Sequence, residues 1–140
     1  MKKTLLKVED ISVFLKEKNK KRYLIENISF ELKEGECLGV LGESGSGKSL
    51  TCKSIMGLLD NKTFFTEGSA IYNGKNLLES KSEELRKLRG KEIAMILQNP
   101  MTCFDPLYTI GYQITETFTE HTTLSIQEIK KKSIEILERM

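Results

Sequence analysis

One stretch limits this chain more than any other. Cys37-Leu38-Gly39-Val40-Leu41 reads as a short apolar strand and Gly42-Glu43-Ser44-Gly45-Ser46-Gly47-Lys48-Ser49 follows it, before a helix-compatible run through Leu58-Leu59. The middle segment satisfies G-x-x-x-x-G-K-[ST] without a mismatch, and a chain of this length meets that pattern by chance only about once in two hundred cases. Glycines at 42, 45 and 47 let the backbone turn tightly and approach a ligand with no Cβ in the way. Successive N–H groups from about Ser44 to Ser49 are expected to point inward as an anion nest, at the positive end of the following helix. Lys48 is placed to reach the β- and γ-phosphates of a nucleotide, and the Ser49 hydroxyl to ligand a Mg²⁺ ion bridging them. An incidental glycine-rich turn explains neither the Ser after the Lys nor the buried-type strand that feeds the turn.

Composition sets looser bounds. The 140 residues, 30% charged and 39% hydrophobic, suit one globular unit, and a net charge of +2 decides nothing about nucleic acid. Lys16, Lys18, Lys20, Lys21 and Arg22 form one basic cluster, read as a solvated loop rather than a phosphate-backbone contact. No apolar run approaches the roughly 18 residues of a membrane span, and the basic N-terminus lacks an apolar signal region, so a cytoplasmic chain is expected. Cys37, Cys52 and Cys103 are widely spaced and read as reduced, mostly structural thiols. His121, among Thr and Glu, reads as a surface residue.

In chain order, residues 5–14 alternate loosely and predict a first strand; Ile28, Phe30 and Leu32 alternate with polar residues and predict a half-buried second one. Lys33-Glu34-Gly35-Glu36 predicts a turn into the strand at Cys37. After the loop, Thr51, Ile55, Leu58 and Leu59 share one helical face that ends at Asp60-Asn61. Gly68 to Tyr72 predicts a strand closed by the hairpin pair Asn73-Gly74. Ser80 with Glu83 predicts a capping box for a helix ending at Gly90. The continuous run Ile93-Ala94-Met95-Ile96-Leu97 predicts a central strand covered on both faces, with Gln98 at its end. Asn99-Pro100 and Asp105-Pro106 mark an irregular loop. Ile110, Ile114 and Phe118 predict a short amphipathic helix. Ser125 with Glu128 caps a last helix carrying Ile129, Ile136, Leu137 and Met140 on one side.

The loop alone leaves GTPases, kinases, helicase-like motors and transporter ATPases open. Asn61-Lys62-Thr63-Phe64 lacks the Asp of the guanine-reading N-K-x-D, and no D-x-x-G follows the loop. An antiparallel β lobe before the loop, and a buried strand ending in Gln98 well after Lys48, resemble the ATP-binding subunits of ABC transporters. Gln98 matches their Q-loop glutamine. The segment Gln98-Asn99-Pro100-Met101-Thr102-Cys103-Phe104-Asp105-Pro106-Leu107, with Thr109-Ile110-Gly111 and Gln113-Ile114, resembles the oligopeptide, dipeptide and nickel importers in particular, and Ser49-Leu50-Thr51-Cys52 is similar to nickel-import members.

That resemblance implies an α/β fold: a phosphate-loop ATPase domain with an N-terminal antiparallel β subdomain. The β and phosphate-loop core would cover about 1–98, and the Q-loop with the start of a helical subdomain 99–140. It implies ATP and Mg²⁺ as ligands, held by Gly42 through Leu50. Lys48 and Gln98 would be catalytic, Ser49 and Gln98 would bind the metal, and Phe14 or Tyr23 would stack on adenine. The implied partners are integral-membrane permease subunits, a second ATP-binding subunit and, indirectly, an extracytoplasmic solute-binding protein. No nucleic acid is expected, and the place of work would be the cytoplasmic face of the cell membrane. The family's L-S-G-G-Q signature, Asp-Glu pair and switch His do not occur in the chain. It is therefore expected to be an N-terminal piece stopping inside the helical subdomain and unable to hydrolyse ATP alone. The other reading is a non-transport ABC-type ATPase, or a truncated nucleotide-binding module.

Overall fold

Alternating apolar and polar residues build the first part of the molecule. In the computed structural model, which describes residues 2–18, 20–99 and 103–139, the chain opens with two long strands, β1 (Thr4–Glu17) and β2 (Lys20–Lys33). They pair antiparallel, and β3 (Phe64–Tyr72) pairs with the other edge of β1, followed by the short β4 (Lys75–Asn76). The sheet order is β2-β1-β3-β4, so β1 is internal and supplies the largest share of the core: Val8, Ile11, Val13 and Phe14 are buried, with Ala70, Ile25 and Leu77 around them. The β1–β2 ladder is irregular, with register shifts near Val8, Ile11 and Val13. Side chains repair it, since Ser29 Oγ accepts from the Asp10 N–H (2.8 Å) and Ser12 Oγ from the Asn27 N–H (2.9 Å). Backbone groups left idle in a half-buried ladder would otherwise cost stability.

Several local expectations hold. Asn73 and Gly74 have φ values of 47° and 81°, the paired left-handed conformation of a type I′ turn, which matches strand twist. Between the sheet strands, α1 (Lys48–Ile55) leaves the glycine-rich loop. It stops earlier than Asp60. The Gly57 N–H donates to Ser54 C=O (3.0 Å) and the Leu58 N–H to Lys53 C=O (2.8 Å), a Schellman closure. Thr51 and Ile55 are buried as expected, but Leu58 lies beyond the helix and is exposed. A 3₁₀ turn (Leu77–Glu79) precedes α2 (Ser82–Leu88). The capping box expected from Ser80 and Glu83 is displaced by one residue: Ser80 Oγ donates to Asn76 C=O (2.9 Å), and Glu84 accepts from the Lys81 N–H (3.1 Å).

Compact units divide the chain at Leu85–Arg86: Met1–Leu85 and Arg86–Met140. The second contains α3 (Ile110–His121) and α4 (Ile126–Glu138), which pack together with Ile129 buried. The Ser125/Glu128 box is formed in full. Ile136 and Leu137 are exposed rather than packed, and Met140 lies outside the described residues. His121 is half-buried, not superficial: its Nε2 lies 2.7 Å from where a Cβ on Gly90 would sit.

The short strand expected at 37–41 and the central strand expected at 93–97 both need correction. Residues 37–41 and 94–97 form no regular strand, and Ile93 makes an isolated parallel bridge to Arg89. Leu41 is 97% exposed and Ile96 94%. An apolar run becomes a strand only when neighbouring strands take its N–H and C=O groups, and the described sheet does not include either run. The basic cluster is also corrected. Residues 16–17 and 20–22 are not a loop but the paired end of the β1–β2 hairpin.

Candidate nucleotide-binding site

The glycine-rich loop is built by contacts on both of its ends. Gly47 caps α1 at φ 92°, and a Cβ there would lie 2.2 Å from Ile25 Cγ2, so the loop rests directly on β2. Only glycine combines that left-handed backbone with so close an approach. Thr51 fixes the other side: its N–H (2.8 Å) and its hydroxyl (3.0 Å) both donate to Gly47 C=O. Gly42 allows a second close approach, because a Cβ on it would stand 2.6 Å from Ser46 Oγ.

Lys48 lies across this loop. Its Nζ donates to Gly42 C=O (2.7 Å), Glu43 C=O (2.6 Å) and Ser46 Oγ (3.2 Å). The ammonium is thus held over the loop by the loop's own oxygens. The start of α1 carries no side-chain cap and no acidic residue in its first turn. An uncapped positive helix end, an ammonium and the hydroxyl of exposed Ser49 make a donor set suited to phosphate oxygens and a bridging cation. Exposed Glu43, Ser44 and Gly45 shape the turn, and half-buried Leu50 lies in the first turn of α1. One donor differs from expectation: the Ser46 N–H closes a turn on Glu43 C=O (3.2 Å) instead of joining the inward-pointing nest.

The two candidate adenine aromatics part company. Phe14 is 3% exposed, with Phe65 stacked at 5.7 Å, Tyr23 tilted against it at 5.4 Å, and Lys21 Nζ over its ring at 4.5 Å. Its ring is enclosed. Tyr23 is 39% exposed and sits on β2 two residues before Ile25, the residue under Gly47. A hydrogen bond to Glu67 holds the Lys21 ammonium above its ordinary pKa.

Gln98 belongs to the second unit, exposed at a bend after the apolar run. Pro100, Met101 and Thr102, within the importer-like segment, lie outside the described residues. Beyond them, Gln113 orders the loop: its Oε1 accepts from the Asp105 N–H (2.8 Å), and its Nε2 donates to Asp105 C=O (2.9 Å) and Tyr108 C=O (3.0 Å). All three cysteines are free and exposed, so the expected structural role does not fit their surroundings. Among the described residues no cluster of His, Cys, Asp and Glu could hold a metal by itself, and no helix is long and apolar enough to cross a membrane.

Sequence reading overlooked Thr51, Ile25 and Phe65 as builders of this site. Thr51 was legible in principle, since a Thr four residues after Gly47 is spaced to bond its carbonyl. Ile25 and Phe65 come from other strands and carry no local signal.

A glycine-rich loop at an uncapped helix start, with a Lys lying over it, defines a phosphate-loop nucleotide-binding protein. The particular family is equally plain: residues 25–140 match the ABC transporter family, and the chain belongs to it. Among curated relatives, it is 47% identical over 115 residues to the metal-staphylopine import system ATP-binding protein CntD of Staphylococcus aureus, covering 82% of this chain and 42% of that protein. It is 39% identical over 135 residues to the oligopeptide transport ATP-binding protein OppD of Bacillus subtilis, covering 96% and 38%. A solved dimeric ATP-binding cassette, in a post-hydrolysis state bound to ADP and Pi, shares the fold at TM-score 0.78 and 24% identity, over 96% of this chain and 56% of that one. The chain therefore spans about two-fifths of the length of these curated relatives.

Proposed function

We propose that this chain is the nucleotide-binding part of the ATP-binding, energy-coupling subunit of an ABC importer. The observation that carries the reading is Lys48, held by three loop oxygens at the uncapped start of α1. Lys48 and the loop from Gly42 to Leu50 would hold the β- and γ-phosphates, and Ser49 would ligand Mg²⁺; Gln98 would serve as a Q-loop glutamine. Tyr23, rather than the enclosed Phe14, would face adenine. Bound MgATP supplies the phosphoryl group whose transfer to water drives uptake. The chain's own contribution is placement and charge stabilisation.

The relatives named for oligopeptide and metal-staphylopine import support a peptide or a carried metal as the solute. The partners would be permease subunits, a second ATP-binding subunit and, at one remove, a solute-binding protein, at the cytoplasmic face of the membrane. Gln113's ordering of the loop from Asp105 to Tyr108 supports this reading over a non-transport ATPase, because that loop belongs to the segment resembling the permease-facing part of importers.

Lys48→Ala tests the site. It removes a charge-assisted contact worth about 1.5–3 kcal/mol, so ATP affinity should fall about tenfold or more. Titration of labelled ATP into the chain measures this. Equal affinity of variant and parent would refute the phosphate role.

A further inference from the structure

The end of the β1–β2 hairpin concentrates charge beyond anything its fold requires. Residues 16–22 hold Lys16, Lys18, Lys20, Lys21 and Arg22 against Glu17 alone, a net +4 in a chain whose total is +2, so all other residues together carry −2. Lys16 and Lys21 stand opposite one another on the ladder. Like charges in that position destabilise a hairpin. They are accommodated by aromatic faces, Lys16 Nζ 4.1 Å over Phe65 and Lys21 Nζ 4.5 Å over Phe14, and by the Lys21–Glu67 pair. Arg22 pairs with Glu17 at 3.2 Å, while Lys18 and Lys20 are exposed. Of the two charged rungs, Glu17 opposite Lys20 joins opposite signs, whereas Lys16 opposite Lys21 does not.

The same strand leads to the phosphate loop. Tyr23 follows Arg22, and Ile25 lies under Gly47. From Ile25 to Lys20 the strand rises about 17 Å. We infer that the hairpin end is an electrostatic guide, a fixed positive potential beside Tyr23 that speeds the approach of a polyanionic nucleoside triphosphate to the phosphate loop. The inference rests on the nucleotide-binding reading above. It assigns the basic residues to the rate of arrival, not to the strength of holding, because Lys20 lies five residues along β2 from Ile25, the residue under Gly47. Clustered charge of one sign raises such rates by tenfold or more where salt does not screen it. The screening length is about 30 Å at 0.01 M salt and about 8 Å at 0.15 M, so a separation near 17 Å lies within reach at the first and outside it at the second.

Stopped-flow mixing of the full chain with a fluorescent ATP analogue and Mg²⁺ tests this, using the parent, Lys18→Gln with Lys20→Gln, and Lys18→Glu with Lys20→Glu. At about 0.01 M salt, association should slow about threefold in the neutral variant and about tenfold in the reversed one. The three proteins should converge at about 0.15 M, with dissociation unchanged throughout. Equal association rates at low salt would overturn the inference. So would a loss of the same size at both salts, which marks damage to the fold rather than guidance. Co-sedimentation with vesicles of phosphatidylglycerol and phosphatidylcholine covers the other anionic surface: vesicle binding lost on charge reversal, with association of the analogue unaltered, would make the hairpin a lipid contact instead. Lys48→Ala keeps the two readings apart, since it should speed dissociation and leave the salt-dependent association intact. Absence of any association in the parent would remove both.

Discussion

Gly47 shows how much of the site depends on one missing methyl group. Its φ of 92° and the 2.2 Å approach to Ile25 Cγ2 mean that Gly47→Ala meets two penalties at once. A left-handed residue costs about 1–2 kcal/mol and an overpacked contact about 1–3 kcal/mol more. Urea denaturation should show a loss of about 2–5 kcal/mol in the unit that carries the loop. Shortening the opposing side chain as well, in Gly47→Ala with Ile25→Ala, should recover the packing part but not the backbone part. Simple additivity of the two single losses would contradict the contact.

At the scale of the element, what could be read directly was chemistry closed within a few residues. The Asn73-Gly74 turn, the start of α1 after Gly47 and the Ser125/Glu128 box all form as their sequences predict, because each partner lies within reach along the chain. The box gives a test. Ser125→Ala should cost about 1 kcal/mol and reduce the helicity of α4 in circular dichroism. Its acid dependence has a definite sign. Hydrogen bonds from the Ser125 hydroxyl and N–H hold the Glu128 carboxyl below its ordinary pKa. That contribution is present above the unfolded value of about 4.3 and is lost as pH falls through the lower folded value. Helicity of α4 should therefore decline over that acid range in the parent and much less in Ser125→Ala. Cys37–Leu41 and Ile93–Leu97 were not legible in this way. Their apolar runs report a tendency to be covered, whereas strand pairing depends on neighbours that a local pattern cannot specify. The paired basic residues at 16–22 were obscured for a related reason: the aromatic rings that accommodate Lys16 and Lys21 come from Phe65 on β3 and Phe14 on β1.

Over the whole molecule, burial is unevenly shared. Ile11, at 0% exposure in the internal strand β1, should lose about 2–5 kcal/mol on change to Ala. Leu41, at 97%, should lose less than about 0.5 kcal/mol on change to Ser, although a strand pattern gives the two residues similar weight. Thermal or urea midpoints of the two variants decide between pattern and structure; a large loss at Leu41 would mean that residues 37–41 are covered in solution. The bonds of Lys48 carry a consequence for binding. An ammonium already satisfied by two carbonyls and a hydroxyl gains from an arriving anion only the difference between new partners and old. Recognition at this loop is then an exchange. On the proposed reading, a triphosphate would take over these bonds with several oxygens at once, so that its binding rearranges the Lys48 contacts rather than filling an idle charge.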